Sequence, residues 1–204
     1  MSTTAEGATL QFWFEFASTY SYPCALRIED AARAAGVAIE WRPFLLGPIF
    51  AGQGWNDSPF NVYPVKGAYM WRDMERICVK HGVPLQRPTN FPRNGLLAAR
   101  VAQIACDEGW GPDFVRAVYT ANFAEDREIG EEPVIAEIVA SLERDADEVL
   151  ARALAPGNKE RLKHTGEEAG RLGIFGAPSF VVAGELFWGN DRLEDALAWA
   201  RRGR

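Results

Sequence analysis

The sequence predicts an α/β fold in which one sheet is built from both ends of the chain and a block of helices is inserted between them. Three observations predict it. A strand pattern opens the chain over residues 9–16. A β-α-β order is complete by residue 45. After a long helical stretch the chain returns to a β-β-α ending. Residues 8–61 and 174–204 are therefore expected to form one discontinuous sheet domain, and residues 62–173 an inserted helical domain.

Leu10, Phe12, Phe14 and Phe16 alternate with Gln11, Trp13 and Glu15, the period of a strand. Ala17-Ser18-Thr19 breaks the pattern. Pro23 suits the first turn of the next helix, where its missing N–H costs nothing. Helix formers run from Cys24 to Ala35 and Gly36 stops them. Val37 to Leu45 reads as a second strand. Gly47 to Asn61, rich in Gly, Asn, Asp and Pro, reads as a loop longer than usual, which points to function or mobility. Helical patterns follow over 70–80, 94–108, 112–124, 133–141, 146–154 and 158–170. Ser179 to Ala183 is a strand, Gly184-Glu185 a hairpin turn, and Leu186 to Trp188 its partner. Asn190-Asp191 is expected to cap a closing helix over 192–201, with Asp191 favourable at its positive end.

Composition excludes several classes. The chain has 204 residues, 48% hydrophobic and 25% charged. That size buries about 70% of the unfolded surface, so folding needs no disulfide or metal. Lys+Arg number 22 against 28 Asp+Glu, a net charge of −6, which argues against a nucleic-acid partner. No apolar run is long enough for a membrane span. Met1 to Thr9 lacks the basic and apolar regions of a secretory leader, and the protein reads as cytoplasmic. Cys24, Cys78 and Cys106 form no C-x-x-C pair and read as inert thiols. His81 and His164 lie far apart, which argues against a zinc site.

Three segments carry the candidate chemistry. Glu15 to Tyr22 is a strand-to-helix turn in which Ser18 or Ser21 either caps the helix or donates a hydrogen bond to an anion above it. In Gly176-Ala177-Pro178, a cis bond before Pro178 would turn the Ala177 backbone outward toward a peptide-like ligand. Phe187 to Arg192 reads either as a glycine turn before a helix or as part of a site. Separately none of the three is specific.

Together they lie in the order of a thioredoxin-like fold with a helical insertion. The chain resembles the 2-hydroxychromene-2-carboxylate isomerase family, close to the kappa-class glutathione transferases and the DsbA-like disulfide oxidoreductases. The family's opening motif, aspartate-phenylalanine-any-serine-proline-tyrosine-serine, stands here as Glu15-Phe16-Ala17-Ser18-Thr19-Tyr20-Ser21. Its C-terminal motifs stand as Phe175-Gly176-Ala177-Pro178 and Trp188-Gly189-Asn190-Asp191-Arg192-Leu193. Lys66-Gly67-Ala68-Tyr69-Met70 with Arg72-Asp73 matches a middle motif. Two residues depart from the pattern: Thr19 stands for the usual proline and Glu15 for the usual aspartate. The segment Gly52 to Pro59 fits the isomerases less closely.

The resemblance implies a glutathione site. Ser18 and Ser21 occupy the positions of the redox relatives' Cys-x-x-Cys, so dithiol exchange through this motif is closed. Ser18 would donate a hydrogen bond to the sulfur of a borrowed thiol and favour its thiolate. The Ala177 backbone would pair with the cysteinyl part. Backbone N–H groups of Gly189, Asn190 and Asp191, with the Asp191 carboxylate, would hold the γ-glutamyl end. Lys66 is the expected partner of a substrate carboxylate, with Asn61 and Phe91 beside it. The expected partner is an anionic aromatic acid, as in aromatic catabolism, and family analogy adds a homodimer. The expected reaction is a cis–trans isomerisation by reversible thiolate addition. Two alternatives stay open: a kappa-like transferase, and a thiol-binding protein without turnover.

Overall fold

A computed structural model describes residues 9–202. The stretch read for a leader therefore lies outside the described residues, apart from Thr9. Along the chain, β1 (Leu10–Phe14), α1 (Ser21–Ala25), α2 (Ile28–Ala35) and β2 (Ile39–Pro43) come first. Two short helices follow, α3 (Leu46–Gly52) and α4 (Pro59–Val62). The helical block holds α5 (Pro64–His81), α6 (Leu96–Asp107), α7 (Gly111–Phe123), α8 (Glu132–Ser141), α9 (Ala146–Leu154) and α10 (Pro156–Arg171). The chain ends with β3 (Ser179–Val182), β4 (Glu185–Trp188), a 3₁₀ turn (Asn190–Arg192) and α11 (Leu193–Arg201).

The four strands form one mixed sheet in the order β2-β1-β3-β4. β1 runs parallel to β2, with Phe12 opposite Trp41, and antiparallel to β3, with Phe12 opposite Phe180. Both chain ends thus meet on β1, as the sequence predicts. β1 is buried on both faces. Phe12 and Phe14 join the main core, while Trp13 packs with Phe44, Leu46, Ile174 and Val181 on the other side. Gln11 accepts from the Trp13 indole at 3.2 Å, and the Arg42 guanidinium stacks on its ring at 4.7 Å.

Several boundaries differ from the sequence reading, each for a local reason. The first helix is two helices: Arg27 leaves the α-helical path, and its N–H takes a tighter bond to the Cys24 carbonyl. Much of the expected loop over 47–61 is helical. Ser58 accepts from the Phe60 N–H while Pro59 opens α4, and Leu46 of α3 is drawn into the Trp13 cluster. The β3-β4 hairpin turns at Ala183-Gly184, both at positive φ, one residue earlier than expected. Asn190 and Asp191 do not cap α11, whose first residues follow Arg192 without a side-chain cap.

α7 buries Phe114, Val115, Val118, Tyr119 and Phe123 against the sheet side of the core, each worth about 1.5–3 kcal/mol. Arg93, 3% exposed, ties the segment before α6 to the end of α7. It donates to the Asn122 carbonyl (3.0 Å), pairs with Glu128 (3.2 Å) and pairs closely with Asp126. Replacing it strands carboxylates in a partly buried setting. Arg93→Met is expected to lower the unfolding free energy by on the order of 3 kcal/mol; urea denaturation reads this, and an unchanged midpoint would contradict it.

Candidate active site

The strand-to-helix turn after β1 is held from three sides. The Ser18 N–H closes it by donating to the Glu15 carbonyl at 2.9 Å. From α7, the Tyr119 hydroxyl donates to the same carbonyl at 2.9 Å, and the Asn122 amide donates to the Phe16 carbonyl at 3.0 Å. Thr19, where the family has proline, is buried and turns its hydroxyl to the Met70 sulfur at 3.0 Å. A backbone so braced presents Ser18 in one position.

Ser18 Oγ accepts from the Ser21 N–H at 3.3 Å and donates to the Ala177 carbonyl at 2.9 Å. Ser18 thus holds a helix-start N–H and lines a cavity. The Ala177-Pro178 bond is cis. The Ala177 carbonyl is not free, as the sequence reading had it, because Ser18 already occupies it.

The C-terminal wall is more committed than expected. Gly189, at φ 114°, gives its N–H to the Pro178 carbonyl at 2.9 Å, so that group is not open to a ligand. A Cβ there would come within 2.6 Å of Asp191 Oδ1. Asn190 is buried, and its backbone and side-chain oxygens accept from Arg27 at 2.8 and 3.2 Å. Arg27 also pairs with Glu194. The Asp191 side chain is 74% exposed, its nearest cation being Arg192 at 3.6 Å. The N–H groups of Asn190 and Asp191 open a helical turn, where no intrahelical carbonyl meets them.

The opposite wall comes from α4, α5 and the segment before α6. Lys66 sets its ammonium over the Phe60 ring at 5.6 Å. Phe91 packs edge-on against Trp71 at 5.1 Å. Asn61 gives its amide to the Asp57 carboxylate (3.1 Å) and the Phe91 carbonyl (3.2 Å), so it braces Phe91. One cavity of about 1680 Å³ gathers Ser18, Ala177, Gly189, Asn190, Asp191, Lys66 and Phe91 along its walls. Asn61 and the alternative serine, Ser21, which is fully buried, are not on them.

Titratable groups sharpen the picture. Burial pushes the Cys24 and Cys106 thiols up to about 12 and Cys78 to about 11, so all three stay protonated near neutrality. Glu15 lines the same cavity as Ser18. It is 8% exposed, and Oε1 accepts the Ala17 N–H at 3.2 Å. Burial raises its carboxyl to about 7, against the lowering pull of that N–H. Sequence reading noted Glu15 only as a substitute for aspartate. The available signal was Trp13, a large apolar residue two positions earlier on the same face of the alternation, which points to a face that is not simply solvated.

A model of DsbA-like thioredoxin domains matches residues 9–198. A 2-hydroxychromene-2-carboxylate isomerase of Sphingobium xenophagum is 30% identical over 91% of this chain and 94% of its own. Human glutathione S-transferase kappa 1 is 26% identical over 91% and 88%. Among solved structures, a 2-hydroxychromene-2-carboxylate isomerase superposes with a TM-score of 0.84 at 25% identity, covering 96% of this chain and 97% of that one. The cytosolic disulfide reductase DsbM of Pseudomonas aeruginosa, solved with GSH, shares the fold at a TM-score of 0.68 and 16% identity, over 96% and 98%.

The raised Glu15 carboxyl links stability to pH. The folded chain binds that proton more tightly than the unfolded one, so this contribution is complete below about 4.5 and is lost as pH rises toward 7. Glu15→Gln, which keeps an acceptor for Ala17, is expected to be more stable than the parent by up to about 3 kcal/mol at pH 8. The gain should vanish below pH 4.5. Denaturation at the two pH values checks this, and a gain equal at both would refute it.

Proposed function

The chain belongs to the DsbA-like thioredoxin family, within its group of 2-hydroxychromene-2-carboxylate isomerases, and from that premise we propose that it is a glutathione-dependent isomerase of unsaturated aromatic carboxylic acids. One observation carries the reading. A positioned hydroxyl lines a large cavity at the family's first motif position, while all three thiols of the chain are held protonated by their surroundings. A site of this kind uses a thiol brought from outside.

The residues fit glutathione. The cavity has room for the tripeptide and a second small molecule together. Asp191 offers an exposed carboxylate for an ammonium, and the N–H groups of Asn190 and Asp191 suit a carboxylate beside it. Gly189 serves by its backbone shape. When bound, glutathione supplies a thiol whose anion adds reversibly to a conjugated double bond and leaves after rotation about it.

Ser18 steadies that anion as donor. The Ser21 N–H polarises its oxygen, which makes its hydrogen a stronger donor. In the free protein that hydrogen goes to Ala177. A ligand amide N–H offered to the Ala177 carbonyl competes for the same oxygen and releases Ser18 to turn into the cavity. Each pKa unit by which the thiol is lowered corresponds to about 1.4 kcal/mol of preference for the anion. Lys66 meets a substrate carboxylate, Phe91 walls the aromatic ring, and Asn61 holds Phe91 in place.

Ser18→Ala is expected to keep the fold and lose about a hundredfold or more in turnover of a hydroxychromene carboxylate, with glutathione still present unchanged at the end. Full turnover in this variant would overturn the role given to Ser18. Consumption of glutathione with release of a conjugate would replace the isomerase by a transferase.

A further inference from the structure

Glu15 poses a question that its place in the fold does not answer. It is a carboxyl at the edge of the core, on the turn that carries Ser18, with its side chain on the wall of the same cavity. Gly95 leaves it room: a Cβ there would stand 3.0 Å from Oε1. Oε1 takes the Ala17 N–H, and among the described residues no cation pairs with the carboxylate. A buried charge without a partner costs stability, so a structural role would be served better by an amide.

Its electrostatic surroundings are simple. From α7 the only titratable group whose field reaches it is the Tyr119 hydroxyl, which burial keeps neutral. Arg93, on the segment before α6, directs its guanidinium to Asp126 and Glu128. Beside this turn, where among the described residues no cation pairs with Glu15, one negative charge is tolerated far better than two. A carboxylate and a thiolate together would be two.

We propose that Glu15 is the base of this site: its carboxylate takes the proton of the thiol that Ser18 receives, so that an S–H bond breaks, an O–H bond forms on Glu15, and one negative charge passes from oxygen to sulfur. The inference rests on the glutathione reading above. No oxidant or second reactant enters, and the proton returns to the sulfur when the thiol leaves. A carboxyl that titrates near 7 is matched to this exchange at neutral pH. Ser18 and Glu15 then divide the work: the hydroxyl stabilises the charge on sulfur and the carboxyl holds the proton.

The test counts protons. At pH 8 Glu15 in the free protein is mostly charged, so wild type should bind glutathione with almost no proton released to buffer. Glu15→Gln should release close to one proton per thiolate bound. Its affinity should climb toward tenfold per pH unit between about pH 7 and the free thiol's pKa, a window in which wild type stays nearly flat. Glu15→Asp should restore the flat profile, and S-methylglutathione, which has no proton to give, should bind all three without pH dependence. Calorimetry in buffers of different ionisation enthalpy reads these numbers. Should Glu15→Gln fail to fold, carboxyl carbon NMR of labelled wild type gives the same answer: at pH 8 the Glu15 signal should move to its protonated position with glutathione and stay with the S-methyl analogue. Equal proton release in wild type and Glu15→Gln, or an unmoved Glu15 signal, overturns the proposal and leaves the glutathione site standing. Failure of wild type to bind glutathione overturns both.

Discussion

Two side chains on one helix fix the geometry on which the site depends. Tyr119 and Asn122 of α7 take the carbonyls of Glu15 and Phe16 and hold them against the core. Those carbonyls belong to a turn that leaves the sheet, where they would otherwise be buried without partners. With them fixed, the Ser18 N–H folds back on Glu15 and the Ser18 hydroxyl has one direction to face. The helical block therefore does more than cover the sheet. It sets the shape of the loop that the first strand delivers to the cavity.

Charge is distributed sparingly around that loop. Three thiols lie where burial keeps them neutral, so none competes with an incoming one. Arg27 is bound to Asn190 and Glu194, and Arg93 to Asp126 and Glu128, which leaves the strong cations on the walls already compensated. Lys66 rests on an aromatic face and Asp191 is exposed, so these two remain open to a ligand of opposite sign. An acid with a carboxylate and a peptide with an ammonium are complementary to such a lining.

Much of this was legible in the residues. The alternation of Phe12 and Phe14 gave the first strand, and the β-β-α ending placed both chain ends in one sheet. Ser18, Ala177 and Asp191 drew notice only as members of three motifs in a fixed order, because each alone fits an ordinary turn or cap. What was missed depends on contacts made far along the chain. Trp13 stands with the polar Gln11 and Glu15 in the alternation, and only a second cluster on that side of the sheet accounts for it. Asn190 looked like a cap, but Arg27 claims its oxygens from the other end of the sequence. Leu46 and Pro59 sit among loop-forming residues, and only their burial reveals α3 and α4. Tyr119 and Asn122 carried no local signal, since a polar group in an apolar helix names no partner.

The hydrogen bond from Ser18 to Ala177 joins residues 159 apart. During synthesis at roughly 5–20 residues per second, the nascent first strand therefore waits on the order of ten seconds or more for its C-terminal neighbour. Until then one side of β1 is an open edge flanked by Phe12 and Phe14, a surface that invites wrong pairings. Ribosome-bound intermediates of this protein should accordingly be clients of holdase chaperones late into translation. A premature stop before β3 should yield an aggregating fragment in place of a partly active one.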